Sequence, residues 1–114
     1  MARIRTIKPT MWGDEKLAQV SRDARLLFIG LISMADDDGR FLASPAAIAG
    51  YVFPNDNLPP ARLSKWWDEL VNVQVVASYT HSGIQYGCLL NFRKHQRISH
   101  PQHSTLPAPQ GTLL

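Results

Sequence analysis

The sequence predicts an α+β fold of the winged helix-turn-helix class, with three to four helices and a C-terminal β-hairpin as the wing. First, apolar residues follow a helical period after Ser21. Second, the pairs Ser44-Pro45 and Pro59-Pro60 mark two further helix starts. Third, the period of apolar residues changes from helical to two after Asn72. The resulting order of helix, short strand, helix, helix and hairpin is that of a winged helix.

Length and composition limit the class of protein. The chain has 114 residues, 45% of them hydrophobic, which fits one domain. A single cysteine excludes an internal disulfide framework and a cysteine-rich zinc module. No apolar run approaches the roughly 20 residues of a bilayer span, and the N-terminus lacks the apolar core of a signal peptide. We therefore expect a cytoplasmic protein with no membrane partner.

The first elements of the chain are short. Ile4 and Ile7, with basic residues between them, are compatible with an arm or an edge strand. Asp14 is a candidate N-cap for a short helix. Ser21 caps the best-supported helix, whose apolar residues recur at spacings of three and four. That helix ends at the acidic turn of residues 36–39, after which residues 40–42 form a short strand.

Two more helices follow the strand. The helix that begins at Ser44-Pro45 must stop before Pro54. In the next helix, Leu63, Trp67 and Leu70 lie on one face, which predicts that Trp67 points inward. The outer faces then carry Arg62, Lys65, Trp66 and Glu69.

The hairpin is predicted from alternation of apolar and polar residues. The first strand carries Val73, Val75, Ala77 and Tyr79, and the second runs from Ile84 to Phe92 on the same pattern. A turn at residues 80–83 joins them. Residues 1–100 are thus expected to form the domain, with a basic N-terminal arm. Residues 101–114 are expected to be a proline-rich flexible tail or the start of a linker.

Charge is concentrated at the two ends of the predicted domain. The net charge is +3, but the stretch from Asp14 to Glu69 holds all nine acids and only six basic residues. A mildly acidic body with basic ends suggests an anionic partner, although terminal charges also serve solubility alone. We find no phosphate-binding glycine loop, catalytic motif or metal-ligand spacing, so no enzyme, metal or cofactor is expected.

A winged helix that binds DNA places its last helix in the major groove, which is about 12 Å wide and admits one helix. Three sets of residues are candidates for contact with DNA. The helix offers Arg62, Ser64, Lys65 and Trp66, and the hairpin turn offers His81. The block after the hairpin offers Arg93, Lys94, His95 and Arg97, or is only a solvated linker start. The N-terminal arm offers Arg3, Arg5 and Lys8, unless it packs as an edge strand.

Several blocks of this sequence together resemble phage and prophage replication proteins. These blocks are residues 3–9, Trp12, residues 14–17, residues 21–31, residues 35–40 and residues 91–98. The resemblance is to the N-terminal domain of the replisome-organiser or DnaD-like initiators, and covers roughly residues 3–100. It implies a winged-helix DNA-binding domain that acts in phage replication initiation, or in related phage DNA transactions, in the bacterial host cell.

Two functional hypotheses follow. The leading one is a duplex-DNA-binding protein. The alternative is a winged-helix adaptor for protein–protein interaction in replisome assembly, which does not bind specific DNA directly. The alternative predicts an exposed apolar patch near Tyr51 and Trp66, where Trp66 would otherwise stack on a base or cover the hairpin as a partly buried lid. Candidate partners are double-stranded DNA, replication proteins of the phage or host, and a second copy of the chain.

Overall fold

In the computed structural model, which describes residues 3–109, helices pack on one three-stranded antiparallel sheet in an α+β fold. The four α-helices of this range are α1 (Arg22–Met34), α2 (Pro45–Val52), α3 (Pro60–Asn72) and α4 (Phe92–His95). The strands are β1 (Arg40–Leu42), β2 (Val76–His81) and β3 (Ile84–Leu89). None of these helices has the length and apolar character needed to cross a membrane.

The helix starts lie where the capping residues predict them. Ser21 Oγ accepts a hydrogen bond from the Ala24 N–H at 3.2 Å and caps α1. Ser44 Oγ accepts one from the Ala47 N–H at 3.4 Å and caps α2. Each hydroxyl satisfies an N–H that has no partner inside the first turn of its helix. These two predictions are confirmed.

Helices α1 and α2 approach closely at a glycine. A Cβ atom built on Gly30 would overlap the Val52 side chain, so only glycine allows this contact without a shift of the valine. Helix α3 packs on both helices and closes the helical layer. The core formed between this layer and the sheet includes Leu27, Leu31 and Leu70.

The orientation of α3 differs from the prediction. Trp66 is the buried tryptophan, with 8% of its surface exposed, and its ring lies 5.4 Å from that of Phe53. Trp67 is half-buried and meets Phe41 edge to face at 5.9 Å. The prediction that Trp66 faces outward was wrong because spacings of three and four both fit a period of 3.6 residues. Leu63, Trp66 and Leu70 form the buried stripe.

The hairpin is confirmed, with shorter strands than predicted. Ser82 and Gly83 form a two-residue turn, with φ of 52° and 77°, as a type I′ hairpin requires. Helix α3 continues to Asn72, and β2 begins only at Val76. Strand β3 ends at Leu89, and Phe92 opens α4 instead of completing the strand. The strand order is β1-β3-β2.

Of the arm and the edge strand that the sequence allows for the N-terminal segment, the structure forms no strand, and the short helix predicted after Asp14 is a 3₁₀ helix. Residues 3–8 have no regular secondary structure, and Ile4 is fully exposed. Two short 3₁₀ helices follow, at Pro9–Gly13 and Leu17–Gln19. Asp14 Oδ1 lies between them and accepts hydrogen bonds from the N–H groups of Lys16 and Leu17, at 2.9 and 3.1 Å. The aspartate therefore stabilises the turn that leads into the second 3₁₀ helix.

Candidate nucleic-acid interface

The outer face of α3 carries two cations that are free of ion pairs. Arg62 and Lys65 are exposed, as is Ser64, which precedes Lys65 in the sequence. Within residues 3–109, neither cation forms a salt bridge or a side-chain hydrogen bond. The guanidinium and the ammonium group are therefore available to an external anion.

The two acids of α3 have different surroundings. Glu69 accepts hydrogen bonds from Ser21 N–H at 2.8 Å and Ser21 Oγ at 2.9 Å. Its carboxylate is thereby directed toward the start of α1 instead of the outer face. Asp68 is exposed and lies three residues from Lys65, so it contributes one negative charge to that face.

Trp66 does not belong to the exposed face. Its burial against Phe53 leaves the ring unable to stack on a base, which corrects its assignment as a DNA contact. Because Trp66 is buried, the exposed apolar patch that was predicted near Tyr51 and Trp66 does not include the tryptophan. Tyr51 is 43% exposed, and its hydroxyl donates to the Ser33 carbonyl oxygen at 3.2 Å.

The tip of the β2–β3 hairpin projects exposed side chains. His81 is exposed and pairs in register with Ile84, which is 47% exposed. Below the tip, the rings of Tyr79 and Tyr86 stack at 5.7 Å across the two strands. Such a cross-strand pair stabilises the two strands whose tip carries His81.

Arg5 is a structural residue, which corrects its assignment to a DNA-binding arm. Its side chain is only 4% exposed. It donates to Asp37 Oδ1 at 3.0 Å and to the Ala35 carbonyl oxygen at 2.8 Å, and lies over the Phe92 ring at 5.1 Å. Arg3 lies 3.4 Å from Asp37 Oδ2, and the exposed Lys8 Nζ donates to the Lys94 carbonyl oxygen at 3.2 Å.

Arg93, Lys94 and His95 of the basic block after the hairpin lie in one helical turn, α4, and Arg97 follows it. Arg93 donates to Asp38 Oδ1 at 3.0 Å and is half-exposed. Lys94, His95 and Arg97 are exposed. Gln96 is buried, and its amide bonds both the N–H of Thr6, at 3.0 Å, and the carbonyl oxygen of Thr6, at 2.8 Å. This amide fixes the N-terminal segment beside α4.

Asp36, Asp37 and Asp38 form a cluster, here called the aspartate hub, which binds Arg3 and Arg5 before α1 and residues 102–104 after α4. The sequence indicates only a turn at this place. Asp37 Oδ2 accepts a hydrogen bond from the Gln102 N–H at 2.9 Å, and Asp38 Oδ2 accepts one from the Ser104 N–H at 2.8 Å. Asp36 accepts from Ser104 Oγ and from the N–H of Arg40.

The segment after residue 100 differs from the predicted free tail. This segment has further contacts besides those of Gln102 and Ser104 with the aspartate hub. Arg40 donates to the Leu106 carbonyl oxygen at 3.1 Å. Tyr79 Oη donates to the Pro107 carbonyl oxygen at 2.7 Å, and burial raises the pKa of this phenol to about 12. Residues 102–107 are therefore attached to the sheet and the hub. Residues 110–114 lie outside the described range.

Hydrogen bonds and cations lower the pKa of two hub carboxyls. For Asp37, the Gln102 N–H, followed by Arg5 and Arg3, outweighs the burial that would raise the pKa above 3.8. For Asp38, burial is the largest influence and raises the pKa. The Ser104 N–H and Arg93 together outweigh it, and the net shift is downward.

We expect the protein to lose stability in acid because of the lowered pKa of Asp37 in the aspartate hub. Because the pKa of Asp37 is lower in the folded chain than in the unfolded chain, its stabilising contribution is complete above about pH 4. It is lost as the pH falls through the folded value. Urea denaturation of the wild type and Asp37→Asn should therefore show a difference in unfolding free energy that narrows below about pH 4.

Asp56→Asn is the matched control for that experiment, because Asp56 lies exposed in the loop before α3. The unfolding free energy of this variant is expected to equal that of the wild type at every pH. A difference between the wild type and Asp37→Asn that stays constant from neutral to acidic pH would contradict the role assigned to the hub.

No protein-family model, curated protein or solved structure matches this chain. Its function is therefore inferred from the geometry and charge of its own side chains.

Proposed function

We propose that the chain is a winged-helix protein that binds duplex DNA, with α3 in the major groove and the β2–β3 hairpin as the wing. The order α1, β1, α2, α3, β2, β3 supports this class, as does the pairing of β1 with β3. In a helix-turn-helix arrangement the second helix is the one that enters the groove. Here that helix is α3, and its buried stripe leaves one face exposed.

The observation that carries the proposal is the pair of unpaired cations on α3. Arg62 and Lys65 lie three residues apart near the N-terminal end of an exposed face. An arginine can contact guanine O6 and N7 together, and a lysine can contact guanine or a phosphate. Ser64, which is also exposed on α3, can donate to a phosphate oxygen.

Other exposed groups are assigned to the DNA backbone. His81 at the wing tip, and Lys94, His95 and Arg97 in and after α4, are proposed to face phosphates. Lys8 can join them, because its Nζ lies beside the Lys94 carbonyl oxygen. Arg5 and Trp66 are excluded by burial, while Arg3 and Arg93 are already engaged with the hub.

The cellular process is proposed from the resemblance to phage replication initiators. We place the protein in replication initiation or a related phage DNA transaction in the cytoplasm of the bacterial host. Replication proteins of the phage or host, and a second copy of the chain, are the proposed protein partners. The DNA-binding proposal is independent of this process, because it depends on the α3 face alone.

The test is a titration of a fluorescent mixed-sequence duplex by anisotropy at about 50 and 200 mM salt. We expect binding at the lower salt that weakens at the higher salt, because phosphate contacts release counterions. Combined substitution Arg62→Gln and Lys65→Gln should weaken binding about tenfold or more and reduce the salt dependence.

Lys16→Gln is the matched control for Lys65→Gln, because both lysines are exposed and each change removes one positive charge. Lys65→Gln should weaken binding more than Lys16→Gln, since Lys65 lies on α3, whereas Lys16 lies between the two 3₁₀ helices. Equal effects of the two changes would show that DNA binding depends on the net positive charge of the protein and not on the position of Lys65. Absence of binding at the lower salt would exclude the proposal.

A further inference from the structure

An apolar groove lies between the first 3₁₀ helix and the outer side of α1. Trp12, which is 72% exposed, and Leu26, which is 52% exposed, form its upper edges. The buried Leu17 and the half-buried Ile29 line it more deeply. An exposed tryptophan beside an exposed leucine is uncommon on a soluble surface and marks an interaction site more often than an isolated apolar residue does.

Two arginines border this groove, and no Asp or Glu of residues 3–109 lines it. Arg22 is exposed and Arg25 is half-buried. Neither forms an ion pair within the described part of the chain. The Nε of Arg25 is buried and has no hydrogen-bond partner there. A buried donor of this kind costs free energy until an acceptor reaches it.

We propose that this groove, which we call the Trp12 groove, binds an acidic segment of a partner protein. A large apolar side chain of that segment packs between Trp12 and Leu26. A neighbouring carboxylate reaches Arg22 and Arg25, and one carboxylate oxygen accepts from Arg25 Nε. The binding energy then comes from an aromatic anchor and an arginine, the two kinds of residue that most often dominate protein interfaces.

The chemistry of the lining favours a peptide over a nucleobase. Leu17, Leu26 and Ile29 are aliphatic, so they offer a base neither a hydrogen bond nor an aromatic face opposite Trp12. An aliphatic or aromatic hydrocarbon side chain of a peptide has no hydrogen-bonding group that such surroundings would leave unpaired. None of the residues that line the groove is a proposed DNA contact, because those lie on α3, at the hairpin tip, around α4 and at Lys8.

The test is selection of a random library of short displayed peptides against the wild-type protein. The Trp12→Ala variant serves for counter-selection. We expect the enriched peptides to combine Asp or Glu with Leu, Phe or Trp. Titration of an enriched peptide should show that Trp12→Ala weakens binding about tenfold. The paired change Arg22→Gln and Arg25→Gln should weaken binding by a similar factor and reduce its salt dependence.

Leu42→Ala is the control for loss of an exposed apolar side chain, because Leu42 is 39% exposed on β1 and outside the groove. It should leave peptide binding unchanged. Thermal unfolding establishes that each variant is folded. Failure to enrich any peptide that depends on Trp12, or enrichment of peptides without acids, overturns the proposal.

Oligothymidine is titrated in parallel. If it binds more tightly than the selected peptides, and loses its binding in Trp12→Ala, the groove is a single-strand site and the proposal is wrong. Duplex DNA should not compete with the peptide. The outcome for the groove is therefore separate from the outcome for the α3 face.

Discussion

Replacement of Arg5 by alanine is expected to lower the free energy of unfolding by about 3–5 kcal/mol. Arg5 and Asp37 are 4% and 3% exposed at their side chains, so the substitution leaves a buried carboxylate without its closest cation. It also removes the hydrogen bond to the Ala35 carbonyl oxygen and the packing on Phe92. Urea denaturation followed by circular dichroism measures the change.

Arg93→Ala is the matched control, because Arg93 also pairs with an aspartate of the hub at 3.0 Å. Its side chain is 50% exposed, and solvent-exposed ion pairs contribute only about 0–1 kcal/mol. We therefore expect the two arginines to differ by several-fold in their effect on stability. Equal losses would show that burial of Arg5 does not determine its contribution.

Replacement of Trp66 by alanine is expected to cost about 3–5 kcal/mol, as is usual when a large aromatic side chain is removed from a core. Trp66 packs on Phe53 and lies in the buried stripe with Leu63 and Leu70. Its removal leaves a cavity between α3 and the segment after α2. For a chain of this length such a loss is a large part of the total stability.

Trp12→Ala provides the comparison, since Trp12 is 72% exposed and contributes little to the core. Thermal and urea unfolding should show a small change for Trp12→Ala and a large one for Trp66→Ala. If Trp66→Ala has the small effect expected of an exposed tryptophan, the assignment of Leu63, Trp66 and Leu70 to the buried stripe of α3 is wrong.

Local signals in the sequence were enough to predict most of the elements. Ser21 and Ser44 each cap a helix through hydrogen bonds that span three residues. The turn at Ser82-Gly83 is also set by the conformations its own residues adopt. In each case the interaction that defines the element is contained within the element, so composition and spacing are sufficient to identify it.

The aspartate hub could not be predicted in the same way. Arg5 and Asp37 are separated by 32 positions, and Gln102 and Asp37 by 65. Nothing in the local pattern of either end indicates these contacts, and an arginine in a basic arm looks the same whether it is buried or free. The nearest signal in the sequence was Gln96, an uncharged residue inside an otherwise basic block, whose amide proves to be buried in the structure.

The side of α3 that faces the core was ambiguous for a different reason. Trp66 and Trp67 are adjacent, and both contact the interior to some extent. A helical period places either one on the stripe that contains Leu63 and Leu70. The choice depends on where Phe53 and Phe41 lie, which is tertiary information. The assignments of Arg62 and Lys65 were unaffected, because both lie outward in either case.

Contact of α3 and the wing with duplex DNA is tested most directly by mapping amide chemical shifts by NMR while the duplex is added to the protein. We predict the largest changes at residues 61–65, with a second group at the hairpin tip around Ser82 and Gly83. The amides around Trp12 should change little. Changes confined to the Trp12 groove, or a titration in which α3 and the hairpin stay unperturbed while DNA binds, would contradict the proposal that α3 and the wing contact duplex DNA.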